Sequence, residues 1–160
     1  MHNAKIVFAL LLACASLPAT AQEPVDMGAL NSAIETQRQV TEAQRQMIVS
    51  KNLELTEAES GDFWPLYRKY RSDVGTLDDR RLAIITEYAK KYETLDDRTA
   101  IGLLRDSLKL EADRIKLMQR HVSRFDKILP GTKVARFMQI EVRLNTITQL
   151  KVQSAIPLVM

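Results

Sequence analysis

Ile101–Leu129 reads IGLLRDSLKLEADRIKLMQRHVSRFDKIL, and its reading decides the fold. Ile101, Leu108, Ile115, Val122 and Leu129 recur at seven-residue steps. Leu104, Met118 and Phe125 hold the intervening positions, with Glu111 the exception. Leu103, Leu110 and Leu117 widen the stripe. Such a pattern is helical, and so wide a stripe suits a bundle better than a two-stranded coiled coil. Pro130-Gly131 stops the helix, because proline lacks the amide and clashes with the preceding turn.

Upstream, Phe63, Tyr70, Leu77 and Ile84 repeat at the same spacing, with Tyr67, Val74, Tyr88 and Leu95 between them and Arg81 as the interruption. Thr56-Glu57-Ala58-Glu59 opens this segment as a capping box, in which Thr56 accepts from the Glu59 amide and Glu59 reaches back to the cap amide. The spacing predicts a helix over 56–94, with Pro65 bending it or loosening its first turns. A helix over 95–129 follows, opened by Leu95-Asp96-Asp97-Arg98, whose acids suit the positive end of a helix dipole. The two seams are expected to lock a long antiparallel hairpin together.

Two further helices complete the reading. Residues 132–155 carry Phe137, Ile140, Leu144, Ile147 and Leu150 as a stripe, ended by Pro157. The apolar Ile156, Leu158 and Val159 are expected to fold back, since an exposed apolar tail is an association surface. Residues 28–52 hold only a thin stripe of Leu30, Ala33, Ile34, Val40, Met47 and Ile48 among glutamines. The expected fold is all-α, four-helix and bundle-like, with no sheet.

The first twenty-one residues read as a secretory leader: Lys5, an apolar run from Ile6 to Leu17, Pro18, and Ala19-Thr20-Ala21 as a small-x-small site cut before Gln22. The run is short for a membrane span, which needs about 20 apolar residues. Leu11-Leu12-Ala13-Cys14 loosely fits a lipoprotein site, which would make Cys14 the lipid carrier. Cleavage at Ala21 removes the one cysteine, so no disulfide supports the exported chain. Residues 22–28 then form a short linker, and 29–160 form one all-helical domain. The formal charge of +3 falls to +2 with loss of Lys5, and the charges are interspersed, which points away from nucleic acid. The expected compartment is the periplasm.

Chemistry-bearing residues are sparse. His121 is the one histidine after the leader, and its place beside Leu117 and Met118 suits a core edge better than a metal site, which needs converging ligands. Asp78-Asp79 and Asp96-Asp97 are neighbours that point about 100° apart on a helix, so neither pair shares a site. No nucleophile–base set assembles, so the residues point away from an enzyme and call for no cofactor or metal. Phe63, Trp64 and Tyr67 with Arg68 and Arg71 are core packing with exposed arginines on the ordinary reading, and an amphipathic protein-contact surface on the functional one. Lys133 and Arg136 sit in the first turn of the last helix, where the dipole disfavours cations. They are candidates for pairing with acids of another helix or of a partner.

The capped Leu55-Thr56-x-x-Glu59 and its echo at Leu95 resemble the paired Leu-Thr-x-x-Gln motifs of the Spy/CpxP family of periplasmic helical proteins. Glu59 stands where that family has Gln, and Asp96 where the second Thr would be. Over about residues 48–159, Phe63-Trp64-Pro65-Leu66-Tyr67, Leu129-Pro130-x-x-Lys133-x-x-Arg136-Phe137-x-Gln139-x-Glu141 and Ile156-Pro157-Leu158-Val159 also resemble a group of uncharacterised secreted proteobacterial proteins. The resemblance implies a chaperone or envelope-stress accessory that binds unfolded clients or other proteins. The alternatives are a structural or regulatory subunit with one envelope partner, and a metal or small-molecule sensor. A homodimer is the expected assembly.

Overall fold

The computed structural model describes Gly28 and residues 42–159. Within them the chain is all-α: α1 (Glu42–Leu53), α2 (Glu57–Lys91), a 3-10 turn (Tyr92–Thr94), α3 (Asp97–Phe125) and α4 (Gly131–Gln153), with no strand among the described residues. The expected leader, its cleavage between Ala21 and Gln22, Cys14, and most of the first predicted helix lie outside the described residues.

The capping box forms as the sequence predicts: the Glu59 amide donates to the Thr56 hydroxyl at 3.2 Å, and the Thr56 amide donates to the Glu59 carboxylate at 2.8 Å. From there α2 runs unbroken for 35 residues, about 52 Å at 1.5 Å per residue, through Pro65 in its third turn. It tightens into the 3-10 turn three residues before the predicted end. Asp96 caps α3 by accepting from the Thr99 amide at 2.7 Å, and α3 ends at Phe125 rather than Leu129. Glu54, just past α1, takes φ 48°, the left-handed conformation that commonly closes a helix.

Cross-helix pairs fix the topology. Asp73 meets His121, Asp78 meets Arg114, and Arg81 meets Glu111, so α3 descends as α2 rises. Arg81 and Glu111, the two interruptions in otherwise apolar seams, are each other's partners. α4 returns over this hairpin, and α1 packs chiefly on α4.

The core sits at the end of the hairpin where α3 turns into α4. Phe63, Tyr67 and Tyr70 of α2, Phe125 of α3 and Phe137 of α4 are fully buried there. Phe125 and Phe137 lie 4.7 Å apart, and Phe63 approaches them at 5.4 and 5.3 Å. Each such side chain contributes about 1.5–3 kcal/mol by burial, and edge and tilted ring contacts add about 0.5–1.5 kcal/mol per pair. Val49 and Leu53 of α1 join the cluster. At the other end, Tyr88 donates to the Pro157 carbonyl at 2.9 Å and Tyr92 to the Leu158 carbonyl at 3.1 Å, which ties the tail back onto α2.

Three expectations are corrected. Ile147 and Leu150 of the expected α4 stripe are exposed, because the stripe winds off the hairpin past Leu144, and Leu158 and Val159 keep their side chains in solvent although the tail backbone is held by Tyr88 and Tyr92. The Ile101–Leu108–Ile115–Val122 seam does not face α2; all four side chains are exposed, and so is Leu104. The buried face of α3 is instead Leu110, Arg114, Leu117, His121 and Phe125. Apolar residues cover more than half the circumference of α3, so periodicity alone does not choose the inner side. Arg114 and His121 settle it, because they find Asp78 and Asp73 on α2 at 2.6 and 3.0 Å.

Candidate functional site

The predicted contact surface splits in two. Phe63 and Tyr67 are core residues with no exposed area, and Trp64 packs edge-on against both rings at 5.0 and 5.5 Å. Phe63 and Tyr67 are therefore unavailable as a surface, because the spacing that marked them is that of the core seam, while Trp64 is only partly buried at its edge. Arg68 is exposed, whereas Arg71 is drawn inward. Lys133 is also committed: its ammonium donates to Glu59 at 2.6 Å and to the Glu54 carbonyl at 2.9 Å. The ammonium, with the amide hydrogen bond from Thr56, holds the Glu59 carboxyl below its usual range. That contact joins the start of α4 to the start of α2 and meets the expectation that Lys133 answers an acid on another helix. Arg136 is exposed and makes no ion pair among the described residues.

Arg71 belongs to a cluster that the sequence did not signal. Glu141 is completely buried on α4, and its carboxylate accepts from Arg45 of α1 at 3.3 Å and from Arg71 of α2 at 3.4 Å. Arg71 also forks onto Glu42 of α1, at 2.9 Å from Nη2 and 3.0 Å from Nε, and Arg45 reaches Asn145 at 3.0 Å. Burial pushes the Glu141 carboxyl above its usual range, against the pull of both arginines. Burial opposes the Arg71 charge, but Glu42 and Glu141 more than offset it and the guanidinium holds its proton tightly. Burial, reinforced by Glu141, pushes the Tyr67 and Tyr70 hydroxyls up, and neither hydroxyl has a hydrogen-bond partner among the described residues. The cluster fastens α1, α2 and α4 to one another.

Beside it opens a cavity of about 280 Å³ lined by Arg45, Arg71, Arg81, Arg114, Glu42 and Asp78, among others. A more apolar cavity of about 300 Å³, with Ile84, Leu110, Val152 and Ile156, shares Arg81, Ile85 and Gln149 with the first. Each of the four arginines already holds an acid of its own chain. None of these guanidiniums is therefore left without an acid to answer it, and Asp79 adds a further carboxylate to the lining.

His121 is a core residue, 1% exposed, with its Nε2 3.0 Å from Asp73 and its ring 5.2 Å from Tyr70. Burial lowers its pKa despite Asp73. Among the described residues no three acidic, histidine or cysteine side chains gather as a metal site. No described helix is long and apolar enough to cross a membrane.

Large apolar side chains are exposed on α4 and the tail (Ile147, Leu150, Leu158 and Val159 among them), but the longest row of them along one helix among the described residues is the outer face of α3. Ile101, Leu104, Leu108 and Ile115 are 46, 53, 62 and 57% exposed, and Val122 is 37% exposed. Those residues were visible in the sequence, but as a core seam. No family model, no curated protein and no solved structure matches the chain.

Proposed function

We propose that this chain binds other proteins outside the cytoplasm, as a chaperone or envelope-stress accessory in the manner of the Spy/CpxP family that its capped helices resemble. The observation that carries the reading is the row of large apolar side chains on the solvent face of α3. Isolated apolar residues are ordinary on a protein surface, but a contiguous row along one helix marks an interaction surface. Water there is released when a partner covers the row, at about 25 cal/mol per Å² of apolar area.

The test is light scattering from a chemically denatured client diluted into buffer, with and without the full chain. Suppression at near-stoichiometric ratio, reduced in Leu108→Glu, supports the reading. No protection at tenfold excess, with no partner recovered by crosslinking in the envelope, rejects it. Recovery of one dominant partner instead of many supports a dedicated subunit over a general chaperone.

A further inference from the structure

Charge surrounds the exposed row on α3 unevenly. At 100° per residue, Arg98, Arg105, Lys109, Lys116 and Arg120 all fall along one edge of the Ile101–Leu104–Leu108–Ile115–Val122 row. All five are exposed, and none forms an ion pair among the described residues. Past the first turn the acids of the same helix lie elsewhere: Asp113 is held by Arg80 at 2.9 Å, Glu111 is held by Arg81 across the opposite edge, and Asp106 lies behind the cations, whereas Asp97, one turn before Ile101, is exposed on the line of the row and marks its N-terminal limit. The row is therefore an apolar track with a basic kerb on one side.

The geometry of the track narrows its occupant. Seven residues on a straight α-helix fall about 20° short of two turns, so a row at that spacing drifts about 60° between Ile101 and Val122. A flat bilayer meets such a winding row over part of its length. A second helix crossing at about 20° follows it throughout. The basic edge then selects for acid on the matching flank of that helix. A second copy docked antiparallel through the same face would set the two basic edges side by side, which like-charge repulsion opposes.

We infer that the outer face of α3 is a docking track for an amphipathic helix of another protein, apolar at heptad spacing and acidic along one flank. This deepens the protein-binding reading and rests on it. The row from Ile101 to Val122 covers 22 residues, about 33 Å at 1.5 Å per residue, so the partner helix has roughly six turns. Apolar anchors supply the affinity, and the basic edge sets orientation and rate of encounter.

The experiment uses the full chain and two fluorescent 22-residue helical peptides, identical in Leu and Ile at the heptad positions, one with Glu and one with Lys along a single flank. Anisotropy titrations at low and high salt read the binding. The inference expects the Glu peptide to bind at least tenfold tighter, with the gap shrinking in salt. It also expects Leu108→Glu to weaken binding at least tenfold, and Lys109→Glu with Lys116→Glu to remove most of the preference for the Glu peptide. Each variant is checked for unchanged helical circular dichroism, and Met47→Glu, on the exposed side of α1, serves as the control that keeps binding. Equal binding of both peptides, or indifference to Leu108→Glu, overturns the inference. So does a wild-type dimer that Leu108→Glu dissociates, which makes a second copy the occupant, or Leu108-dependent capture by phosphatidylglycerol vesicles without peptide discrimination. Client protection that survives Leu108→Glu would sink this track while leaving the broader function standing, and peptide selectivity without client protection would do the reverse.

Discussion

At the scale of single residues, Glu141 is the position most sensitive to change. A fully buried carboxylate shared by two arginines leaves both cations short of a partner when it is removed, and breaking such a pair costs about 3–5 kcal/mol. Glu141→Leu is expected to lose that much in urea denaturation, with Arg45→Met and Glu141→Leu together recovering part of the loss. Tyr70 predicts the opposite sign. Its buried hydroxyl lacks a partner among the described residues, so Tyr70→Phe removes a desolvated polar group without breaking a hydrogen bond seen there and is expected to leave stability unchanged or raise it by about 1 kcal/mol. His121 links the fold to pH. Its folded pKa lies below the ordinary 6.5, so the folded state takes up a proton less readily than the unfolded chain. Its contribution is complete above that value and is lost as pH falls through it. Denaturation midpoints measured from pH 8 to pH 5 should drop across pH 6.5, and His121→Leu should flatten that step. Asp73, held below its usual range by Lys69 with His121 assisting, adds a second loss at more acid pH.

At the scale of elements, helix existence was legible and helix facing was not. The capping box at Thr56, the seams of α2 and α3 and the stop at Pro130 all declare themselves through local rules. Helix ends differ by a few residues because the last turns tighten or unwind, as Tyr92–Thr94 does. The facing of α3 escaped because two apolar sectors compete on one helix. The choice between them rests on ionic partners that only a paired α2 supplies. The same blindness hid Arg45 and Glu141, which look like ordinary surface charge until α1 and α4 meet. Arg81 and Glu111 offer a direct test of the pairing. Because Glu111 is half exposed, a double-mutant cycle with Arg81→Ala and Glu111→Ala should give a coupling of about 0.5–1 kcal/mol, reduced by salt. A coupling near zero would place the helices out of the register described.

At the scale of the whole molecule, aromatic packing is concentrated at one end and the tail closes the other. The rings of Phe63, Phe125 and Phe137 hold the α3–α4 turn, whereas the far end depends on Tyr88 and Tyr92 gripping backbone carbonyls of the tail. The ends should therefore open independently. Hydrogen exchange is expected to be slowest around 63–74 and 117–137 and faster near 84–92. Tyr88→Phe with Tyr92→Phe should speed exchange only in the second region. Uniform acceleration along α2 would show that the helix unfolds as a single unit.

The Arg45–Glu141–Arg71–Glu42 cluster has a mechanical consequence. Tension arriving along the chain from before Glu42 reaches the body of the protein through a helix that α4 grips by charge as much as by oil. Loaded along its axis, a compact knot of ions yields over a short distance, so α1 would peel away abruptly while the hairpin behind it stayed intact.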